Sequence, residues 1–275
     1  MTTSIDASSD PTADAVEAAR ESSIRRDHYA VPGPISVIAS TASGSVLVKT
    51  GESDSCEVTI TARSHSARER LRDVEVSYDE GQRQLRVVTQ PRPLSRRWLF
   101  DVGRSDFNVE LTIPQGSNLE VRTASGDTRA TGTYGEISVT SASGQVFVGE
   151  ALGSCHVTQA SGDTEIGVCR GVVQVKTASG DINVRKAHGD AKLHSVSGNV
   201  ELGISSNLDA KLNSVSGNIL VLLEKGLTID VNASTLSGEI SSEIDLGGAT
   251  GSSGSSGAVT IKMTTVSGNV SLRRA

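Results

Sequence analysis

The chain has 275 residues and a formal net charge of −6, with acidic and basic residues mixed along its length. A nucleic-acid-binding protein normally carries a basic face, so this charge argues against a nucleic-acid partner. Only 36% of the residues are hydrophobic and 3% are aromatic, which excludes a core filled with large rings. A repeat protein tolerates this composition, because each repeat buries a row of small and β-branched residues against its neighbours.

Residues 1–30 are polar, and we expect them to form a disordered tail. The stretch has neither a basic segment nor an apolar run, so the sequence predicts no signal peptide, no membrane span and a cytoplasmic location. The cysteines Cys56, Cys155 and Cys169 are too few and too scattered for a disulfide framework, and no zinc-site spacing is present. We therefore expect reduced thiols and neither a metal nor a cofactor.

Residues 31–116 are predicted to form an N-terminal β region. Short alternating segments flank Ser43-Gly44, and this period is typical of strands with one buried face. The segment resembles the later repeats, so we interpret it as an early coil that an insertion separates from the main array. Residues 74–78 and 84–89 alternate on either side of a Gly-containing loop, which predicts a hairpin.

Residues 91–106 have no repeat character and combine two prolines and four arginines with adjacent apolar side chains. Arginine beside tryptophan is typical of the energetic centre of protein interfaces, and cations beside apolar groups also suit an anionic membrane surface. The other interpretation is a lid over the fold. The candidate interaction residues are Arg92, Arg96, Arg97, Trp98, Leu99 and Phe100.

The dipeptide Ser-Gly recurs at a nearly constant interval from Ser125 to Ser237. Successive occurrences are 18, 18, 18, 18, 19 and 21 residues apart. A fixed period of this size is typical of solenoids. The sequence predicts an all-β fold, a right-handed parallel β-solenoid with about 18 residues per coil over residues 117–275. We expect this array to continue the N-terminal region, where the strands are mixed or antiparallel.

Alignment of the repeats shows columns of similar residues. The first and third positions are aliphatic, as at Ile137 and Val139, and the sixth forms a further apolar column, as at Ala142. The second position is polar and varied, so we expect it to face water. The glycine of each Ser-Gly fits a corner where φ is positive or where neighbouring coils approach closely.

A column of Asp and Asn follows the Ser-Gly pairs. Two interpretations are open for it: turn formation, which Asp and Asn favour, and calcium binding, which needs six or more oxygen ligands. Gln145 and Glu239 interrupt the column and its charge declines along the chain, which favours turn formation. The column residues are Asp127, Asp163, Asp181, Asn199, Asn218 and Asn269.

The C-terminal end of the array has no evident cap. Residues 247–257 are almost entirely Gly and Ser, and one further coil follows with Val259, Ile261 and Val270. We expect the outer edge of this last coil to expose unpaired strand groups. The sequence therefore predicts either end-to-end self-association or coverage by the Gly/Ser segment.

The run FNVELTIPQGSNLEVRTASGDTRA, followed by repeated units of Ser-Gly, Asp or Asn and a hydrophobic residue, resembles a family of bacterial β-strand-repeat proteins. These proteins are known as putative adhesins and contain a domain of unknown function. The resemblance covers residues 31–275 and implies a β-repeat fold. It implies no catalytic residues.

These observations favour a non-enzymatic β-solenoid scaffold that binds a protein partner or itself. One alternative is a filament- or oligomer-forming structural protein, and another is a carbohydrate-binding or carbohydrate-active β-helix. An enzyme of the last kind needs clustered acidic or basic groups, for which Asp181, Lys176 and Arg185 are the candidates. We expect the histidines of the array to be surface residues without a catalytic partner. Contact with a membrane surface is a weaker possibility.

Overall fold

A computed structural model describes residues 23–52, 54–89, 106–244 and 259–275. Within these ranges the chain forms a twelve-stranded sheet, called the first sheet, and an eleven-stranded sheet, called the second sheet. A short helix, α1 (His65–Arg70), and a 3-10 turn at Leu71–Asp73 lie outside the sheets. Buried side chains from both sheets form one continuous core. The predicted all-β class and the long parallel sheets are confirmed.

The first sheet runs in an order that differs from chain order at both ends. Its strands are, in spatial order, β1 (Ile24–Ala30), β4 (Ser55–Ala62), β7 (Phe107–Pro114), β3 (Val46–Gly51), β9 (Thr128–Tyr134), β11 (Val146–Ala151), β13 (Thr164–Cys169), β15 (Ile182–Ala187), β17 (Val200–Ile204), β19 (Ile219–Leu223), β23 (Val270–Arg274) and β21 (Ile240–Ser242).

The second sheet shows the same kind of rearrangement. Its strands are, in spatial order, β5 (Glu75–Asp79), β6 (Gln84–Val88), β2 (Ser36–Ser43), β8 (Asn118–Ser125), β10 (Ile137–Ser143), β12 (Cys155–Ser161), β14 (Val173–Ser179), β16 (Ala191–Ser197), β18 (Asp209–Ser216), β22 (Val259–Ser267) and β20 (Ile229–Ser237).

Each repeat contributes one strand to each sheet. Strands of successive repeats pair in parallel and in register, so that Ile137 of β10 lies opposite Cys155 of β12. Hydrogen bonds between neighbouring coils link equivalent positions. For example, Glu136 donates its N–H to Oδ1 of Asn118, 18 residues earlier, at 2.8 Å. The repeat in the sequence is therefore the stacking unit of the structure.

Burial alternates along each strand. This alternation corrects the interpretation of the sixth repeat position, which the sequence grouped with the other apolar columns. Ile137 and Val139 face the core, and the period of two places Ser141 on the same side. The Ser141 hydroxyl is satisfied inside, because it donates to the Ser143 carbonyl at 2.9 Å. The sixth position, occupied by Ala142, consequently points outwards and is exposed.

The Ser-Gly corners require glycine for both of the reasons predicted. Gly180 has a φ of 129°, in the left-handed region that other residues avoid. A Cβ on Gly180 would overlap the Gly162 carbonyl of the preceding coil. The Gly180 N–H donates to the Ser197 carbonyl of the next coil at 2.9 Å. Close backbone contact at these corners thus holds successive coils together.

The early coil has the place that the sequence predicted. Strand β2 pairs in parallel with β8, and Ser43 lies opposite Ser125, so the two Ser-Gly corners are stacked. The predicted hairpin is confirmed as the antiparallel pair of β5 and β6. The connection between β6 and β7 contains the segment 91–106, of which only Asp106 is described.

Two N-terminal elements differ from expectation. Residues 24–30, assigned to the tail, form β1, which pairs antiparallel with β4 along its whole length. This strand is held by backbone pairing at a sheet edge, which its polar sequence did not indicate. Helix α1 was not predicted, although Ser64 provides a cap whose hydroxyl accepts the Ala67 N–H at 3.1 Å.

The order of coils at the C-terminal end also differs from expectation. Strands β22 and β23 insert between the coil of β18 and β19 and the coil of β20 and β21. Val259, Ile261 and Val270 are therefore buried rather than at an open edge. Among the described residues the outermost coil is β20 and β21, because the chain folds back after it. Every coil carries similar inward columns, so the sequence pattern does not encode their spatial order.

Candidate binding surfaces

The residues singled out from the sequence for interaction lie outside the described part of the structure. These are Arg92, Arg96, Arg97, Trp98, Leu99 and Phe100, and the Gly/Ser segment 247–257 lies outside it too. The described surfaces therefore supply the candidates, and the outer face of the second sheet differs most from an ordinary polar surface.

Large apolar side chains form a column on the outer face of the second sheet, here called the apolar column. Val196, Val215 and Val266 are 44%, 43% and 45% exposed, and Leu236 is 84% exposed. The residues before and after each of them pair in register with the neighbouring strand. The four side chains are therefore adjacent on the sheet. They occupy the sixth position of the repeat, where earlier coils have alanine. Adjacent exposed apolar residues of this size are typical of an interaction site.

A row of lysines, here called the lysine row, runs beside the apolar column. Lys192 lies opposite Lys211, and Lys211 lies opposite Lys262, on strands about 4.8 Å apart. No ion pair involving these three side chains is found among the described residues. Asp190 and Asp209 flank the row at the corner, and Asp190 Oδ1 accepts the Asp209 N–H at 3.0 Å. Like charges directly opposite one another destabilise a sheet.

Neither the apolar column nor the lysine row was identified from the sequence. The signal was present, since Lys192, Lys211 and Lys262 all occupy the second position of their repeats. The repeat interval changes after the coil that contains Lys192, which obscures the equivalence of the later positions. Continuing the column alignment through the irregular coils would have placed the three lysines in one row.

Several charges on the outer face of the first sheet are paired. Glu224 accepts a hydrogen bond from the Ser205 hydroxyl at 2.9 Å, and this bond together with Lys186 lowers the pKa of the Glu224 carboxyl. Arg129 stacks over the Phe147 ring at 4.4 Å. The ion pairs of this face and its edge are Arg170–Glu150 (2.8 Å), Arg185–Glu165 (3.2 Å), Lys186–Glu224 (3.4 Å) and Arg273–Glu243 (3.2 Å).

The structure does not bring together the three residues considered for catalysis. Lys176 is exposed on the second sheet, whereas Arg185 lies on the first sheet and pairs with Glu165. Asp181 lies at the corner between them, and its Oδ1 accepts the Asn199 N–H at 2.7 Å. Of the histidines in the array, His156 and His194 are exposed on the second sheet and His188 is half-buried.

The Asp and Asn column forms a ladder of hydrogen bonds between coils. Asp163 Oδ1 accepts the Asp181 N–H at 2.9 Å, and Asn199 Oδ1 accepts the Asn218 N–H at 3.0 Å. These bonds support turn formation, because they occupy side-chain oxygens that a calcium ion would require. In the described ranges, no group of three or more His, Cys, Asp or Glu residues is placed to hold a metal ion.

The three cysteines are free and buried in the core. Burial raises the pKa of the Cys56 and Cys169 thiols to about 11 and also raises that of Cys155. A thiol reacts as a nucleophile through its thiolate. The burial of these groups keeps them protonated near neutral pH.

The outermost coil is incompletely covered by the described residues. Ile229, Val231 and Ala233 of β20 occupy positions that are fully buried in interior coils, yet here they are only half-buried. Leu236 and Ile240 of the same coil are 84% and 50% exposed. The first sheet ends at β21 and the second at β20.

Comparison with known proteins finds similarity over most of the chain. The family model described as Toastrack DUF4097 matches residues 36–273. A putative adhesin from Bacteroides fragilis NCTC 9343 is 11% identical, with a TM-score of 0.50 over 92% of this chain and 97% of its own. A putative adhesin from Parabacteroides merdae ATCC 43184 is 10% identical, with a TM-score of 0.35 over 92% and 96%. No curated protein matches the chain.

A further solved structure has a different name. The putative lipid binding protein from Parabacteroides distasonis ATCC 8503 is 11% identical, with a TM-score of 0.41 over 92% of this chain and 97% of its own. At such identities the likeness to the Bacteroides fragilis protein concerns the fold alone. In the described part of this chain, the helices are too short or too polar to cross a membrane.

Proposed function

The chain belongs to the Toastrack DUF4097 family, and we propose that it is a non-catalytic interaction protein that binds a protein partner through the outer face of its second sheet. The supporting observation is the apolar column, whose Val196, Val215 and Val266 side chains are nearly half exposed although they stand next to one another. A folded monomer gains nothing from such a column, whereas a partner would remove it from water.

The lysine row defines the chemistry of that partner. Lys192, Lys211 and Lys262 repel one another across the sheet, and a partner with carboxylates along one side would relieve this repulsion. The complementary surface is therefore apolar in its centre and acidic at one edge, as charge complementarity between partners requires. Carbohydrate binding is the competing class, for which a glycan screen is the test.

The proposal also includes the handedness and coil length of the solenoid and the location of the protein. We take the sheets to be the two sides of a right-handed solenoid with coils of about 18 residues, so that the binding face extends along its axis. The free thiols of Cys56, Cys155 and Cys169 support a reducing compartment, and we place the protein in the cytoplasm.

Two outward-facing residues of one coil allow a matched test. Val215 lies on β18 in the second sheet, and Leu220 lies on β19 in the first. We expect Val215→Asp to abolish copurification of the partner from native cells, and Leu220→Asp to leave it unchanged. Retention of the partner by Val215→Asp, with loss in Leu220→Asp, would place the binding face on the first sheet.

A second candidate function is self-association through the outermost coil. The half-buried Ile229 and Val231 and the exposed Ile240 leave this end uncovered by described residues. At the other end, antiparallel strands β1, β4 and β5 close the sheets. With one open end, two copies associate head to head as a closed dimer, and no filament forms.

Sedimentation velocity tests this second candidate. We expect the native chain to sediment as a dimer at micromolar concentration and Ile240→Lys to sediment as a monomer, because the charge would be buried at the contact. The control is Leu152→Lys, which changes a residue of similar exposure (47%) in an interior coil. A monomeric native chain would exclude the dimer without bearing on the outer face of the second sheet.

A further inference from the structure

We infer that an open cavity at the N-terminal end of the fold binds a small organic anion. The cavity has a volume of about 450 Å³ and lies between β1 and the turn that follows α1. Cavities of about 300 to 1,000 Å³ are typical of small-molecule sites. Its lining residues are Ile24, Arg25, Arg68, Leu71 and Arg72.

Arg25 forms the fixed wall of the cavity. Its Nε lies 2.9 Å from Asp27 Oδ2, and its side chain is only 27% exposed. Its Nη1 donates to the Val74 carbonyl at 2.5 Å, which ties β1 to the segment after the helix. The guanidinium is therefore held in place before any ligand arrives, and an anion would lose little binding energy in ordering it.

Arg68 and Arg72 supply cations that the described residues leave uncompensated. Both are exposed, and neither side chain forms an ion pair within the described ranges. Arg68 lies in α1 and Arg72 in the 3-10 turn that follows it, and both line the cavity. Arg25 is paired with both carboxylate oxygens of Asp27, so Arg68 and Arg72 supply the excess positive charge of the cavity. Guanidinium groups bind phosphate or carboxylate through paired hydrogen bonds.

The cavity also has an apolar wall. Leu71 is 7% exposed and Ile24 is half-buried, and both line the same space as the arginines. A ligand that uses the whole cavity carries an anionic group for the arginines and a short hydrocarbon group for Ile24 and Leu71. A competing explanation is that basic residues merely complement the carboxyl end of α1, and the experiment must separate the two.

Isothermal titration calorimetry of the full chain separates them, with inorganic phosphate, hexyl phosphate, hexanoate and hexanol as probes. We expect at least one hexyl anion to bind at least tenfold more tightly than inorganic phosphate, and hexanol to give no heat. The tighter of the two hexyl anions identifies the preferred anionic group. Absence of binding by both would overturn the inference.

Variants test the role of the arginines. We expect Arg68→Gln combined with Arg72→Gln to weaken hexyl-anion binding at least tenfold, and Arg86→Gln, which changes an exposed arginine outside the cavity on β6, to leave it unchanged. A double variant with a lower melting temperature and unchanged anion affinity would show that the arginines serve the helix alone.

Discussion

The outer faces of the two sheets are built from the same repeats but differ in their C-terminal coils. There the second sheet carries like charges side by side, although Arg122 and Glu120 form an ion pair on its earlier strand β8. On the first sheet, cations stand beside carboxylates, as Arg185 does beside Glu165 at 3.2 Å. On the second sheet, Lys192, Lys211 and Lys262 stand beside one another. In the coils of β16, β18 and β22, like charges therefore stand side by side on the outer face of the second sheet.

The energetic difference between the faces is small but has a definite sign. A cross-strand pair of opposite charge contributes about 0.2 to 1 kcal/mol, and a like-charged pair costs a similar amount. The lysine row thus destabilises the fold slightly, and its lysines form no ion pair with the described residues. Local departures from the rules of stability are expected at functional sites.

The largest effect is expected where the two faces join, at the Ser-Gly corner. Gly180→Ala adds a Cβ that overlaps the Gly162 carbonyl, at a φ of 129°. We expect this change to cost about 4 kcal/mol or to prevent folding, since the coils must separate to admit the methyl group. Urea denaturation followed by circular dichroism measures the cost.

Gly226 provides the control for this prediction. Its φ is 91°, but a Cβ there meets nothing within 4 Å. Gly226→Ala should therefore cost only the backbone strain, about 1 to 2 kcal/mol. Equal losses in the two variants would mean that φ alone, and not contact between coils, makes glycine necessary at the corner.

A pH dependence is expected from the core that both sheets share. Burial raises the pKa of Cys56 and Cys169 from 9.0 to about 11, so the folded state binds these protons more tightly than the unfolded state does. Their contribution to stability is complete below pH 9.0 and is lost as the pH rises towards 11. Urea midpoints measured from pH 8 to 11 should fall over this range.

The matching variant replaces the titrating groups. In a chain with Cys56→Ala and Cys169→Ala, the fall in midpoint between pH 9 and 11 should be smaller than in the native chain, whatever the starting stability. An identical slope would mean that the titration of Cys56 and Cys169 does not control alkaline unfolding.

The smallest stability effects come from reversing one charge on the outer face of each sheet. Lys211→Glu places a carboxylate between Lys192 and Lys262, and we expect it to stabilise the fold by about 0.5 kcal/mol. Glu165→Lys removes the partner of Arg185 and should destabilise the fold by about 0.5 kcal/mol. Paired urea titrations at low and high salt measure both, and changes of the same sign would contradict the comparison.

The sequence predicted those parts of the fold that depend on local pattern. The repeat, the positive φ at the corners, the stacked early coil and the antiparallel hairpin all follow from spacing and residue type. Strand β1 and the insertion of β22 and β23 depend on backbone pairing between distant segments. Inward columns are alike from coil to coil, so they carry no information about which coils become neighbours.

The candidate surfaces were harder to predict for a related reason. An exposed residue acquires meaning only through its neighbours on other strands, and Lys192 alone reads as an ordinary surface lysine. Val196 was aligned with alanines as part of an apolar column, yet the alternation that starts at Ala191 and Leu193 directs it outwards. Extending that alternation by one residue would have indicated an exposed apolar column.

Site-specific photo-crosslinking in native cells tests whether a protein partner binds the outer face of the second sheet. A photoreactive amino acid is placed at position 215 on the second sheet in one variant, and at position 165 on the first sheet in another. We predict a discrete crosslinked partner from position 215, which Lys211→Glu abolishes, and none from position 165. A partner captured only from position 165, or captured equally from both positions, would contradict this prediction.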